Sequence, residues 1–251
     1  MADRFRLNYL KSTRLEESDF TESSASRDEG RMTRPTSPPS EYNIPVSFSS
    51  EAILKQAKAD LKNPDSKVRI LAVRYYLEKS YPSIPMSLLQ EILSDQDPDV
   101  RAEALRSLIK FKSPIVSPLL KKYLRDSDPK VRVTALRGMF QYQEKMDLNI
   151  LLQFMSDESP WVRRKVATLL GWTQIDGALP ILMEMSRDQD SVVRRAALFS
   201  LATLYPDESE DRLLEAMTDS DPGLCKWAKM TLEKIVSKPV KRRMVSIRNR
   251  V

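Results

Sequence analysis

One short residue pattern recurs through the middle of this chain at an almost constant interval. It consists of Asp-Pro, any residue, Val-Arg and then an Ala-Leu pair one helical turn later, as in SDQDPDVRAEALRSL and RDSDPKVRVTALRGM. A fixed period in this range is typical of a solenoid, in which each unit buries its apolar surface against the next unit. Aligned on the apolar residue before the arginine, the copies lie 32, 31, 31, 31 and 31 residues apart: Val68, Val100, Val131, Val162, Val193 and Leu224.

Each unit is predicted to contain two antiparallel helices. Every unit has a favourable helix N-cap residue three positions before the aligned residue: Asp65, Asp97, Asp128, Ser159, Asp190 and Asp221. Proline or serine follows at the first helical position, where the missing N–H of proline costs nothing. Apolar residues then recur at helical spacing, as Val131, Ala135, Leu136 and Met139 do. A shorter apolar segment precedes each of these helices: SSEAILKQAKADL, MSLLQEIL, VSPLLKKYL, LNILLQFM, ALPILMEM and DRLLEAM.

The Asp-Pro, the Val-Arg and the following Ala-Leu resemble the HEAT repeat, and most closely its short form of about 30 residues known from phycobilin lyases. The resemblance implies an all-α fold, a right-handed α-solenoid of six helix pairs. It also implies that the second helices line the concave surface. A bilin lyase subunit is one function found among proteins with such repeats, but a fold does not by itself specify function.

Composition divides the chain into three segments. Residues 1–45 are rich in Ser, Thr, Pro and charge, and they are predicted to be a disordered or extended arm. Residues 46–236 hold the six repeats and carry a net charge of +1. Residues 237–251 hold six basic residues and no acidic residue, so they form a basic tail that is a candidate for binding anionic surfaces.

A second set of residues repeats with the period of the helices. Arginine follows the aligned residue in the first five units, and aspartate precedes it by five positions in the last five units. Because the last unit has Cys225 instead of arginine and the first has Asn63 instead of aspartate, each arginine is predicted to pair with the aspartate of the next unit. We call these pairs the arginine–aspartate ladder: Arg69 with Asp95, Arg101 with Asp126, Arg132 with Asp157, Arg163 with Asp188 and Arg194 with Asp219.

The second, third, sixth and tenth residues after each aligned residue point away from the predicted core stripe, and we call them the second-helix face. The second helices carry net charges of +2, +1, +3, +3, +2 and +2, which leaves −12 for the rest of the repeats. Arginine, methionine and aromatic residues with few acids are typical of a protein-binding surface. The predicted partner-binding residues are basic, aromatic or sulfur-containing: Arg74, Arg106, Lys110, Arg137, Arg164, Lys165, Arg195, Phe199, Lys226, Trp227 and Met230.

These observations favour a non-enzymatic scaffold or adaptor that binds an acidic or amphipathic protein segment, with the terminal arms as further docking elements. The alternative is a groove that tracks nucleic-acid phosphates, whose binding should weaken steeply with salt. A catalytic role is not expected, because the chain has no His and its carboxylates mostly recur in every unit. No catalytic residue, metal site or cofactor is predicted. A single Cys and the absence of a long apolar run favour a cytoplasmic protein without a transmembrane segment.

Overall fold

The computed structural model describes residues 50–236 apart from residues 82, 113–114, 143–146 and 174. These described residues form twelve α-helices and no strand. The predicted arm of residues 1–45 and the predicted tail of residues 237–251 lie outside them, so both assignments stay predictions. The helices in chain order are α1 Ser50–Asp60, α2 Ser66–Ser80, α3 Met86–Leu93, α4 Pro98–Lys110, α5 Val116–Tyr123, α6 Pro129–Tyr142, α7 Leu148–Leu152, α8 Pro160–Thr173, α9 Ala178–Met185, α10 Ser191–Leu204, α11 Glu210–Ala216 and α12 Pro222–Val236.

The helices pair as the repeat predicts, and the all-α solenoid is confirmed. In every unit except the fourth, the even-numbered helix packs against the odd-numbered helix before it, and each even-numbered helix packs against the even-numbered helices of neighbouring units. The aligned apolar residue is buried in units two to six, from Val100 to Leu224, and partly buried as Val68 in the first unit. The core is therefore one chain of apolar side chains that continues from unit to unit.

The starts of the second helices follow from the capping residues. Asp97 accepts the N–H of Asp99 at 2.8 Å, and Asp190 accepts the N–H of Val192 at 2.9 Å. The aspartates before α2, α6 and α12 make the same contact. These bonds satisfy N–H groups that a helix start leaves without a partner, and they place the following valine and arginine on a fixed helical turn.

The fourth unit has a shorter first helix than the sequence predicts. The segment LNILLQFM suggested a helix to Met155, whereas α7 ends at Leu152. Beyond that residue, the N–H of Phe154 bonds the carbonyl of Leu151 and the N–H of Met155 bonds that of Leu152. Bonds between residues three apart tighten the chain into a turn, so the helix closes early while Leu151 remains in the core.

Gly171 allows α8 and α10 to approach closely. A Cβ atom at this position would lie 2.3 Å from the Oγ of Ser200, and the hydroxyl of Ser200 donates to the carbonyl of Ala167 at 3.0 Å. A larger residue would have to displace that bonded serine. The glycine therefore permits the close packing of the second helices of units four and five, and these helices carry Trp172 and Phe199.

Candidate functional site

Five arginines in the first turns of the second helices bind aspartates of the next unit. Arg69 donates through Nε to Oδ2 of Asp95 at 2.8 Å and through Nη2 to Oδ1 at 2.9 Å. Paired charge-assisted bonds fix orientation as well as distance, so the ladder sets the register of successive units. The four remaining pairs repeat both contacts at 2.6–3.0 Å: Arg101 with Asp126, Arg132 with Asp157, Arg163 with Asp188 and Arg194 with Asp219.

Each ladder arginine also fastens the turn that precedes its own helix. Nη1 of Arg163 donates to the carbonyl oxygens of Asp157 and Glu158 at 2.8 and 3.2 Å. The other ladder arginines reach the carbonyls six and five residues before them in the same way. A cation near the positive end of a helix dipole is unfavourable by itself, and this set of acceptors compensates for it.

At each end of the ladder an uncharged residue replaces the charged one and keeps one of its hydrogen bonds. Cys225 takes the arginine position in the sixth unit, and its Sγ lies 3.0 Å from the carbonyl oxygen of Asp219. That carbonyl corresponds to one of those that Nη1 contacts in the other units. Asn63 takes the aspartate position in the first unit, and its Oδ1 accepts the N–H of Asp65 at 2.9 Å, as the ladder aspartates do two residues on.

The ladder holds Asp188 and Asp219 in the ionised form. The hydrogen bond from Arg194 is the largest influence on Asp219 and keeps the pKa of that carboxyl below its usual value in spite of burial. Burial opposes the ionisation of Asp188. The hydrogen bonds from Arg163 and from the N–H of Asp190 outweigh it, and the pKa of Asp188 is lowered as well. These two ladder pairs are therefore charged at neutral pH.

The predicted partner-binding residues all lie on the second helices, but they differ in exposure. Phe199 and Met230 expose 58% and 48% of their surface. Four basic residues are exposed: Arg74, Lys110, Arg195 and Lys226. Four residues are partly buried: Arg106, Arg137, Arg164 and Trp227. Lys165 is buried. That these residues bind a partner stays a prediction.

The third position after the aligned residue is buried in units two to four, so the prediction that it faces solvent is wrong there. Glu103, Thr134 and Lys165 expose 5%, 6% and 8% of their surfaces. A helical wheel considers one helix and its core stripe. Each middle second helix also packs against second helices on both sides, and these neighbours cover the third position. Lys165 is thus a buried cation and not an exposed one.

At the junction of units one and two, the second-helix face holds an ion-paired cluster. Arg74 of α2 donates through Nε to Oε1 of Glu103 on α4 at 2.7 Å, and Arg106 donates to Oε2 at 3.1 Å. Burial opposes ionisation of Glu103, but the bond from Arg74 and the charge of Arg106 outweigh it and lower its pKa. Lys110 lies 3.7 Å from a carboxylate oxygen of Glu78 beside this cluster. Carboxylates thereby neutralise much of the positive charge predicted for the second-helix face of units one and two.

At the junction of units five and six, the same two repeat positions hold aromatic rings. Phe199 stands at the sixth position of α10 and Trp227 at the third position of α12, with ring centroids 6.3 Å apart. Met230, one turn further along α12, is exposed beside them. Arg195 borders this apolar group and donates through Nη2 to Asp221 at 2.9 Å. This half of the face therefore presents apolar surface bordered by charge.

The junction of units three and four combines cations and aromatic rings. Nζ of Lys165 lies 5.5 Å from the centroid of the Trp172 ring, and that ring lies 5.7 Å from the ring of Phe140 on α6. The guanidinium of Arg164 lies 5.6 Å from the centroid of the Trp161 ring. Cation–π contacts of this kind are favourable and strengthen when they are desolvated.

Sequence reasoning missed Glu103 and assigned no role to Phe140 or Trp161. The available signal for Glu103 was its position, because it is the one acid at the third position among the six units. Its partner Arg74 lies 29 residues earlier. Only the alignment of the third position in one unit with the sixth position in the unit before it would have revealed the pair.

Neither a metal centre nor a membrane span is found in the described part of the chain. No group of three or more Cys, Asp or Glu side chains there is arranged to hold a metal ion. Among the helices that the structure describes, none is both long and apolar enough to cross a bilayer.

The family model for HEAT repeats matches two overlapping stretches of the chain, residues 52–127 and residues 116–202. Together the two stretches cover more than half of the 251 residues. The match includes the first four second helices, most of the fifth and the ladder arginines that these helices carry, and it stops before the sixth unit. No curated protein sequence matches the chain significantly.

Several solved structures resemble the chain at low sequence identity. An engineered protein is 20% identical, with a TM-score of 0.44, over 74% of this chain and 97% of that chain. The complex of CpcE and CpcF of phycocyanin lyase from a Nostoc species is 20% identical, with a TM-score of 0.47, over 76% and 79%. A designed armadillo repeat protein in complex with the peptide (KR)4 is 18% identical, with a TM-score of 0.48, over 72% and 99%. At this level of similarity these structures do not indicate a partner or an activity.

Proposed function

This chain belongs to the HEAT-repeat family, and we propose that it is a non-enzymatic scaffold that binds a protein partner on the second-helix face of units three to six. The observation that carries the proposal is the exposed apolar group of Phe199 and Met230 beside Trp227. Large apolar and aromatic side chains of this kind, bordered by arginine and lysine, commonly provide most of the binding energy at protein interfaces.

The contacts that join the surrounding helices support this proposal. Phe199 stands on α10, which Gly171 and Ser200 hold against α8, and the ladder pair of Arg194 and Asp219 fixes α10 relative to the last unit. Aromatic side chains on helices that are already ordered bind with little further loss of conformational entropy. The repeated carboxylates serve the ladder and the helix caps, which supports a non-catalytic role.

Nucleic acid is a weaker candidate for the same surface. A phosphate-binding groove requires cations that can exchange their counterions for phosphates. Arg74 and Arg106 instead share the buried carboxylate of Glu103, and Arg195 is paired with Asp221. Arg164 and Lys165 lie next to aromatic rings, an arrangement that suits an amphipathic protein segment better than a uniform phosphate backbone.

Affinity capture from a native lysate with nuclease present tests the proposal. The bait is the full chain, compared with the double variant Phe199→Ala and Met230→Ala. Both side chains are about half exposed, so the variant should fold normally, as circular dichroism would show. We expect the variant to lose the proteins that the unmodified chain retains at moderate salt, because truncation of a central apolar contact costs about 1–4 kcal/mol of binding free energy.

A matched control removes exposed apolar side chains from the first helices instead. Leu152→Ala with Leu214→Ala reduces apolar surface on α7 and α11, and it should retain the same proteins. If the Phe199 and Met230 variant captured the same set as the control, the proposed surface would be wrong. If the chain captured nucleic acid in the absence of nuclease and captured no protein in its presence, the phosphate-binding alternative would replace the scaffold.

A further inference from the structure

We infer that this chain associates head to tail with a second copy of itself, so that the last unit of one copy stacks on the first unit of the next. This inference goes beyond the proposed function, because it assigns a partner to the two ends of the solenoid. It follows from comparing the contacts between successive units with the residues that the two ends present at the same repeat positions.

Both ends of the solenoid expose residues that the repeat buries elsewhere. The third position after the aligned residue is covered in units two to four, whereas Leu71 of the first unit is 45% exposed. Met217 lies seven positions before the aligned residue of the last unit and is 37% exposed. Its equivalents in the first three units are buried: Leu61, Leu93 and Leu124. An open groove of about 450 Å³ also lies at the last unit, lined by Met217, Asp219, Pro222, Cys225, Lys226 and Lys229. Among the described residues, the surfaces that stack within the solenoid are therefore uncovered at both ends.

The ladder position is uncharged at both ends. Inside the chain an arginine of one unit binds an aspartate of the next, but Cys225 replaces the arginine in the last unit and Asn63 replaces the aspartate in the first. When the two ends meet, this position therefore buries neither an unpaired guanidinium nor an unpaired carboxylate, either of which would be costly. The junction between copies also lacks the ladder contact, so it is weaker than a junction inside the chain.

A second ion pair of the repeat can form across the two ends. Arg195, the second residue after the aligned position of unit five, donates to Oδ2 of Asp221, whose Oδ1 caps the helix of unit six. Lys226 stands at the same position in the last unit, is exposed, and has no ion pair with a described residue. Asp65 caps α2 through Oδ1, and its Oδ2 accepts no hydrogen bond from the residues that the structure describes. Lys226 of one copy and Asp65 of the next therefore match in charge and in position.

An apolar contact can also form across the two ends. The repeat places the sixth residue of one second helix opposite the third residue of the next, as the rings of Phe199 and Trp227 show at 6.3 Å. At the two ends of the chain these positions hold Met230 and Leu71, which are 48% and 45% exposed. Stacking of two copies places these large apolar side chains opposite each other and removes part of their surface from water, which is favourable.

The fifth position after the aligned residue limits the strength of this contact. It is apolar and at most 1% exposed in units one to five: Val73, Leu105, Leu136, Ala167 and Leu198. The last unit has Lys229 there, and this residue is exposed. Burial of its ammonium group would be costly, although its aliphatic stem can cover apolar surface while the charge stays in water. Together with the missing ladder pair, Lys229 predicts a reversible contact that forms at high protein concentration.

Sedimentation equilibrium of the full chain tests the inference. A head-to-tail contact uses a different surface on each copy, so every added copy leaves one end of each kind open. The weight-average mass should therefore rise with concentration between about 10 μM and 1 mM and exceed that of a dimer without reaching a plateau. A reductant keeps Cys225 from forming a disulfide between copies during the measurement.

Two single variants and their combination test the register of the stacking. Leu71→Glu and Met230→Arg each place a charge opposite an apolar side chain, so each should raise the dissociation constant at least about tenfold. The double variant carries both changes and copies the ion pair of Arg74 and Glu103 into the junction between copies. It should therefore return the dissociation constant to within about threefold of that of the unmodified chain. Both side chains are about half exposed, so the variants should fold normally, as circular dichroism would show.

Two further variants complete the test. Lys229→Leu restores the apolar residue of the other units and should lower the dissociation constant at least about tenfold. Leu214→Glu is the control and should leave the constant unchanged. Leu214 is exposed on α11, and its equivalents are exposed in units one to four as well: Lys58, Gln90, Lys121 and Leu152.

The inference would be overturned if the full chain sedimented as single copies at every concentration up to about 1 mM. Association that Leu71→Glu leaves intact, that the double variant does not restore, or that Lys229→Leu does not strengthen would reject the head-to-tail stacking. The proposed function is judged separately by protein capture. Leu71 lies on the first unit, outside the proposed partner surface, so Leu71→Glu should lose self-association and retain the captured proteins.

Discussion

The ladder and the second-helix face are built by the same repeat, yet one is constant along the chain and the other changes at every junction. Each of the five ladder junctions has an arginine with two bonds to one aspartate. On the face, equivalent positions hold an ion pair at Arg74 and Glu103, two cations at Arg137 and Lys165, and two rings at Phe199 and Trp227. A residue that recurs in every unit serves the stacking of units, whereas the varied positions can specify a partner.

This difference makes the ladder the place where a single substitution should cost the most stability. Arg132→Met removes a guanidinium from the middle of the solenoid, and it leaves the carboxylate of Asp157 buried without its cation. Breaking a buried pair from one side costs about 3–5 kcal/mol. We expect a loss of this size in the free energy of unfolding, measured by urea denaturation followed by circular dichroism.

The control for this prediction lies two residues away on the same helix. Lys130 pairs with Asp99 at 3.0 Å, and their side chains are 40% and 45% exposed. Exposed pairs contribute about 0–1 kcal/mol, so Lys130→Met should change stability by no more than that. If Arg132→Met and Lys130→Met had equal effects, the ladder would not hold the units together.

The ladder could be predicted from sequence because its two ends break the pattern in complementary ways. Asn63 lacks the aspartate at the start, and Cys225 lacks the arginine at the end. Only a pairing with the next unit leaves no unmatched charge at either end. The face could not be predicted as well, because exposure there depends on packing between units. Lys165 lies on the outer side of its own helix, but the neighbouring second helices bury it.

A loss of stability of intermediate size is expected at the first junction, where residues of the second-helix face hold two helices together. Glu103 accepts bonds from Arg74 and Arg106 in a buried position, so it stabilises the first junction although it lies on the variable surface. Glu103→Gln should cost about 1.5–3 kcal/mol of unfolding free energy at pH 7, the typical contribution of hydrogen bonds to a charged group. Glu78→Gln is the control, because Glu78 is half exposed and lies 3.7 Å from Lys110, and it should cost less than about 1 kcal/mol.

The pH dependence of the difference in unfolding free energy between the unmodified protein and Glu103→Gln identifies the cause of that difference. The pKa of Glu103 is lower in the folded protein than in an unfolded chain, where it is about 4.3. Its stabilising contribution is therefore fully present above that unfolded value and is lost as the pH falls through the folded pKa. The gap between the unmodified protein and Glu103→Gln should be constant from pH 7 to about pH 5 and shrink in more acidic solution. A gap that stayed constant in acid would indicate that the carboxylate charge is not its cause.

The smallest effect is expected where an aspartate is added at the uncharged start of the ladder. Asn63→Asp keeps an oxygen that can accept the N–H of Asp65, but the arginine of the first unit, Arg69, already binds Asp95. The new charge gains no arginine of the ladder type, and the free energy of unfolding should change by no more than about 0.5 kcal/mol. Asp95→Asn is the matched substitution one unit later, and it should cost about 1.5–3 kcal/mol because Arg69 loses its carboxylate. The same exchange of amide and carboxylate then has a large effect within the ladder and almost none at its end. A similar cost at both positions would mean that the turn, and not the arginine of the preceding unit, selects aspartate in the repeat.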